Sequence, residues 1–299
     1  QFFISVLMIF LAYTISFIGV AILHEANFRS IDWMNLKWFI GNAVITLFAF
    51  PLIFIFEKAF GLLSDVSLME LADSNSPLLR ELSMKAPGTF QHSLQVANLA
   101  EAAIYHIGGN PLLVRAGAMY HDIGKMDMPV YFIENQNTSG NPHDDLPFEE
   151  SARIIKSHVI RGVEKAKKNN LPEQLIDFIR THHGTDRLQY FYHSFLKNFP
   201  EKMPDEELFR YPGPLPFSRE TAVLMIADSV EAASRSLKSP DSESISQLVD
   251  QIIDNQIAQK QFDNAPLTLK DISELKKLFK KEMTLQLLRS GMIIINNLK

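Results

Sequence analysis

The hydrophobic and polar positions of this chain divide it into two parts. Residues 2–23 read FFISVLMIFLAYTISFIGVAIL without one charge, and residues 38–56 read WFIGNAVITLFAFPLIFIF, again uncharged. Each run is close to the roughly 20 residues a helix needs to cross a hydrocarbon layer. Trp33 and Trp38 stand near the start of the second run and Glu57 and Lys58 follow it, flanks that suit membrane interfaces. The pattern predicts two transmembrane helices within residues 1–60. The first run is too long for a signal-peptide core and lacks a basic leader. Gln1 already lies in an apolar segment, so the chain is expected to be the C-terminal portion of a longer protein.

Beyond residue 60 the period changes. Residues 61–86 mix polar and apolar positions around Ser76-Pro77, which predicts a connecting helix and turn. From Pro87 the pattern is helical: Leu94, Ala97, Ala100 and Ile104 recur at three- and four-residue steps and stop at Gly108-Gly109. Pro111 opens another helix, whose Leu112, Leu113, Ala116 and Met119 lead into His121 and Asp122. Residues 135–147 and 198–218 are rich in turn formers and proline. They predict loops that set off helices near 151–168, 172–182 and 219–237. Thr268 and Asp271 form a capping-box variant ahead of an apolar face of Leu269, Ile272, Leu275 and Phe279. Ile293-Ile294-Ile295 is too short to span a membrane and is expected to pack against the domain. No strand alternation competes, so the expected fold class is all-α.

Composition narrows the chemistry. With 299 residues, 46% of them hydrophobic, the chain can hold a membrane part and one domain. The absence of cysteine excludes disulfides and thiolate metal sites, leaving His and carboxylate to hold any metal. A net charge of −5, with no long Lys/Arg run, argues against a polymeric nucleic-acid partner. Charge does not orient the spans, since Arg29 and Lys37 in the loop at 24–37 balance Lys58, Arg80 and Lys85 beyond the second run.

The candidate chemistry centres on Tyr120-His-Asp-Ile-Gly-Lys125, where two metal-binding side chains adjoin a cation. Taken alone, His121 and Asp122 are better accounted for by a helix-end His and a capping Asp. Further candidates are His92, His158, His182 and His183, with Asp228 as a second carboxylate. His182 and His183 adjoin at a helix end before Gly184, where both can face one ion. Asp228 follows six apolar residues, and an Asp buried by such a helix needs a cation or a full set of hydrogen bonds. Helices can bring such inward-facing ligands into one site. His24, His106, His143 and His193 are assigned no chemistry.

The order His92, His121-Asp122, His158, His182-His183, Asp228, with spacings of 29, 37, 24 and 45 residues, closely resembles the HD superfamily of phosphohydrolases. The segments Ala86-Pro-Gly-Thr-Phe-Gln-His-Ser93, Tyr131-Phe-Ile-Glu-Asn-Gln136, Asn141-Pro-His143 and Met225-Ile-Ala-Asp-Ser-Val-Glu-Ala232 resemble the seven-transmembrane HD phosphodiesterases of the PgpH type. That resemblance implies an all-helical HD domain over 87–299, reached through a connecting segment at 61–86. It implies hydrolysis of cyclic di-AMP to pApA with two Mn or Fe ions and water activated between them. His92, His121, Asp122 and Asp228 would hold one ion; Asp122, as a bridge, with His158, His182 and His183 would hold the other. Lys125 matches a phosphate-contacting lysine. The two spans would be the last of seven in a bacterial cytoplasmic membrane, with the catalytic domain in the cytoplasm and the loop at 24–37 outside.

Two departures separate the chain from HD-GYP enzymes that cleave cyclic di-GMP. No Gly-Tyr-Pro follows the His pair, where Gly184-Thr-Asp-Arg187 stands, and Gly88 occupies the place of a third-ion Glu. A two-ion site is expected. Tyr190-Phe191-Tyr192 either stacks an adenine or packs as an aromatic cluster. Alternative readings keep the metal site for cyclic di-GMP or guanosine tetraphosphate, or make the chain a non-catalytic nucleotide-sensing receptor.

Overall fold

The computed structural model describes residues 2–25, 32–136, 140–237 and 240–289, so Ile293-Ile294-Ile295 lies outside the described residues. The chain forms two compact units, divided between Ser64 and Asp65. The first holds α1 (Phe2–Glu25), α2 (Leu36–Leu47) and α3 (Ala49–Phe60). The second holds α4 (Asp65–Leu71), α5 (Pro77–Lys85), α6 (Pro87–Ile107), α7 (Pro111–Tyr120), α8 (Phe148–Lys168), α9 (Glu173–Thr181), α10 (Gln189–Asn198), α11 (Arg219–Ser234), α12 (Ser242–Ala258) and α13 (Leu269–Arg289). Among the described residues the only β pairing is an isolated antiparallel bridge between Arg187 and Arg210, in keeping with the all-α expectation.

In the first unit the apolar side chains face outward: Phe3, Leu7, Ile15, Val20, Ile45 and Phe54 are all exposed. Such a surface is stable against lipid and not against water. Two stretches, Phe3–Leu23 and Trp33–Phe60, are long and apolar enough to cross a membrane. The second run, expected as one helix, is divided at Phe48 between α2 and α3. Pro51 lacks the N–H that would bond the Leu47 carbonyl, and Thr46 Oγ1 turns back to the Asn42 carbonyl at 2.7 Å, two devices that interrupt a helix ladder.

The second unit is built around α11, in which every side chain from Ala222 to Asp228 is buried. A helix apolar on all sides belongs at the centre of a core. It packs on α6, α7 and α9, while α12 and α13 form a layer over α11 and α6. Residues 65–85 contribute Leu68, Leu78, Leu79 and Leu82 to this core, with α4 on α7 and α5 on α6. The Thr268 capping box is formed: Asp271 Oδ2 accepts from Thr268 N at 2.9 Å, and Thr268 Oγ1 accepts from Asp271 N at 3.1 Å.

A 3-10 turn, Ile123–Asp127, packs tightly on α8. Gly124 makes this possible, because a Cβ there would run into the His158 carbonyl oxygen. Backbone cannot swing aside as a side-chain tip can, so Gly124→Ala is expected to cost about 3 kcal/mol, the upper end for overpacking. Thermal unfolding should show this as a melting temperature lowered by about 6–12 °C.

Candidate metal centre

Asn110 caps α7 by accepting from Leu113 N at 3.0 Å, and Pro111 sits where its missing N–H has no partner to lose. The helix runs to Tyr120 and delivers His121 and Asp122 into the interior, exposed 0% and 1%. His92 comes from the buried face of α6, His158 from α8, His182 and His183 from the end of α9, and Asp228 from α11. All seven predicted residues meet in one cluster.

Asp122 lies at its middle, with each carboxylate oxygen facing a different set of rings. Oδ2 is 3.2 Å from His121 Nε2 and 3.7 Å from His92 Nε2. Oδ1 is 3.4 Å from His158 Nε2 and 3.6 Å from His182 Nε2. Asp228 Oδ1 adjoins the first pair, at 2.9 Å from His92 Nε2 and 3.6 Å from His121 Nε2. Its Oδ2 is 3.8 Å from His183 Nδ1. His92, His121 and Asp228 can hold one ion between them, as can His158, His182 and His183, and so can His121, Asp122 and His182.

The backbone sets the chemistry of these rings. His121 Nδ1 donates to the Ala118 carbonyl (2.7 Å), His158 Nδ1 to Ile155 (2.6 Å) and His182 Nδ1 to Ile179 (2.8 Å). A carbonyl only accepts, so each Nδ1 carries the hydrogen and each neutral ring turns a lone pair at Nε2 into the cluster. His92 lies between two carboxylates, its Nδ1 bonded to Glu231 Oε2 and its Nε2 2.9 Å from Asp228 Oδ1. The His158 and His182 Nε2 atoms stand 3.2 Å apart, lone pair toward lone pair. Both Asp122 oxygens and His121 Nε2 are buried without a well-formed hydrogen bond, although Lys125 Nζ lies 2.6 Å from Oδ2. Convergent acceptors of this kind are unstable in a protein interior unless a cation or protons fill the space between them. The donor set fits divalent metal.

Electrostatics divides the rings. Burial pushes His158 down to about 3, with His182 and Lys125 adding to it, and burial with His182 holds His183 well below its usual value. Burial also acts downward on His121, but Asp122 and Asp228 outweigh it and lift the ring to about 10. Burial acts upward on both aspartates, yet Lys125 and His121 hold Asp122, and His121 and His92 hold Asp228, well below the carboxylate range. The carboxylates remain charged.

Lys125 sits between Asp122 Oδ2 and Glu134 Oε1, the latter at 3.0 Å, with its Nζ 5.0 Å from the centre of the Phe132 ring. Glu134 also accepts from Thr89 Oγ1 at 3.0 Å. Glu231 is 1% exposed and is bonded on its other oxygen by Arg235, at 3.0 and 2.6 Å. The sequence reading missed both glutamates as site residues. Glu231 carries a usable signal, since three residues after Asp228 it shares the same buried helix face. Glu134 lies in a short 3-10 turn, and nothing local marks it. Phe191 and Tyr192 pack against the Phe195–Phe209 cluster, while Tyr190 points to solvent. His143 is held by the Tyr131 carbonyl at 2.9 Å and lies outside the cluster.

The HD-domain family profile matches residues 89–233. The chain is 46% identical over 222 residues to the cyclic-di-AMP phosphodiesterase PgpH of Bacillus subtilis (strain 168), covering 74% of this chain and 31% of that protein. It is 44% identical over 238 residues to the same-named protein of Listeria monocytogenes serotype 1/2a, covering 80% and 33%. The chain therefore spans about a third of the length of these curated relatives. It is also similar to the crystal structure of the L. monocytogenes PgpH HD domain in complex with cyclic di-AMP, at 43% identity and a TM-score of 0.69, over 72% of this chain and 99% of that one. A second structure of that domain gives 44% and 0.67, over 71% and 99%.

Proposed function

This chain belongs to the HD-domain family in its PgpH branch, and from that premise we propose that it is a membrane-bound phosphodiesterase that opens cyclic di-AMP to linear pApA. One observation carries the reading: a buried carboxylate, Asp122, whose two oxygens face two separate sets of imidazole lone pairs. His92, His121, Asp122 and Asp228 would hold one divalent ion, and Asp122, His158, His182 and His183 the other. Imidazole and carboxylate without thiolate suit Mn or Fe. Two such ions supply Lewis acidity toward a phosphate oxygen and lower the pKa of water, so that phosphodiester hydrolysis proceeds near neutral pH.

The chain's own side chains then have defined tasks. Asp122 and Asp228 hold negative charge where the cations bind. Lys125, kept cationic by the carboxylates around it despite its burial, would neutralise charge growing on the phosphate oxygens. Glu134 is the second carboxylate that holds the ammonium group in place. Glu231 orients His92 and sustains its basicity as a ligand. Glu231→Gln removes the charge while keeping the shape. It is expected to weaken Mn binding about 10–100-fold, measured by titrating metal into the metal-free protein.

A cyclic dinucleotide is a cytosolic substrate, so the domain faces the cytoplasm and the loop at 24–37 lies outside, in a bacterial cytoplasmic membrane. Protease added to intact cells should spare the domain, and its digestion there would reverse the orientation. The substrate assignment is tested by turnover of cyclic di-AMP against cyclic di-GMP and guanosine tetraphosphate. Cyclic di-AMP is expected to give the highest kcat/KM. Cleavage of another of these in its place would reject the assignment, and tight binding without turnover at any Mn or Fe level would make the chain a receptor.

A further inference from the structure

Beyond residue 233, where the HD match ends, α12, α13 and their connection follow, and two side chains from this part bond residues beside the metal cluster. Gln256 and Gln261 are buried amides, 3% and 1% exposed. Gln256 Nε2 donates to Ser229 Oγ at 2.9 Å, on the residue after Asp228. Gln261 bonds Thr185 twice: its Oε1 accepts from Thr185 N at 3.0 Å and its Nε2 donates to Thr185 Oγ1 at 3.1 Å. Thr185 lies two residues after His183. Between them Gly184 adopts a left-handed φ of 48°, and a Cβ there would run into Gln261 Oε1.

His183 is the histidine that needs this support. The rings of His92, His121, His158 and His182 are each anchored by a hydrogen bond from Nδ1. His183 turns its Nδ1 toward Asp228 and leans on the Tyr211 ring, centroids 4.2 Å apart, with its side chain 24% exposed. Its ring position is set by the turn at 183–185. On one side that turn is tied by Tyr211 N to the Asp186 carbonyl at 2.9 Å and by Arg210 Nη1 to the Thr185 carbonyl at 3.2 Å. On the other side it is tied by Gln261.

We propose that Gln261 is a positioning residue for His183, holding the Gly184-Thr185 turn so that the ring closes its side of the metal cluster. The inference rests on the two-ion reading only in taking His183 as a ligand. It makes the connection between α12 and α13, in which Gln261 lies, part of the site's construction.

The test is Mn binding to the full chain in detergent, with thermal unfolding of the metal-free protein as the control for folding. Wild type is expected to bind two ions. Gln261→Leu, nearly isosteric and without hydrogen bonds, should bind one ion as wild type does and the other about 10–100-fold more weakly. Gln261→Glu keeps an acceptor for Thr185 N and should recover most of the lost affinity. Thr185→Ala removes one of the two bonds at a half-buried position and should weaken the same ion to a smaller extent. It carries the test should Gln261→Leu fail to fold. Wild-type affinity for both ions in Gln261→Leu and Thr185→Ala, or equal weakening of both ions, overturns the positioning role. A wild-type chain that binds no Mn overturns the two-ion reading instead.

Discussion

Asp122→Ala is expected to lower kcat for cyclic di-AMP by at least about 10³-fold, roughly 4 kcal/mol in the barrier, while the helical fold persists. The size follows from position: Asp122 lies between the two sets of imidazoles, Oδ2 beside His121 and His92 and Oδ1 beside His158 and His182, so its loss would affect both ions. The fold survives because Lys125, the buried cation that would be stranded, keeps Glu134 at 3.0 Å. Metal-bound stoichiometry and circular dichroism on the same sample separate a lost site from a lost fold. Normal turnover by folded Asp122→Ala would remove Asp122 from the centre of the mechanism.

Metal removal should have the second large effect. A chelator is expected to abolish hydrolysis and to lower the melting temperature, with Mn or Fe restoring both. Each ion at a hundred times its dissociation constant stabilises the native state by about 2.7 kcal/mol, so two ions amount to about 5 kcal/mol and a shift of roughly 10–20 °C. The pH dependence has a definite sign. A metal ion would take the Nε2 lone pair of His121, a ring that the neighbouring carboxylates lift to about 10, so binding is expected to displace a proton. Metal affinity must therefore fall as pH falls, and metal addition must release protons into a weakly buffered sample. An unchanged melting temperature after chelation would contradict the cluster's role as a metal centre.

What was legible in the sequence was whatever leaves a local mark. The seven His and Asp residues stood out by residue type and pairing, Asp228 also because it follows six apolar residues, and their order carried the family likeness. Helix boundaries showed at Gly108-Gly109, Pro111 and the Thr268 cap. The supports of the site were not legible in the same way. Glu134, Gln256 and Gln261 look like ordinary polar residues in turn-like or amphipathic segments, and they become site residues only when the fold carries α6, α11 and α12 together. The division of the second span at Phe48 was present in the sequence as Pro51, masked by the unbroken apolar run around it. Gly124 likewise reads as a loop glycine until α8 is packed against it.

The most direct test of the central claim is hydrolysis of cyclic di-AMP by the Mn-loaded chain in ¹⁸O-labelled water, with the products resolved by mass spectrometry. The expected product is pApA carrying one ¹⁸O in its terminal phosphate, formed by wild type and absent with Asp122→Ala. Cyclic di-AMP recovered intact from a metal-loaded wild-type protein, or equal product from Asp122→Ala, would contradict it.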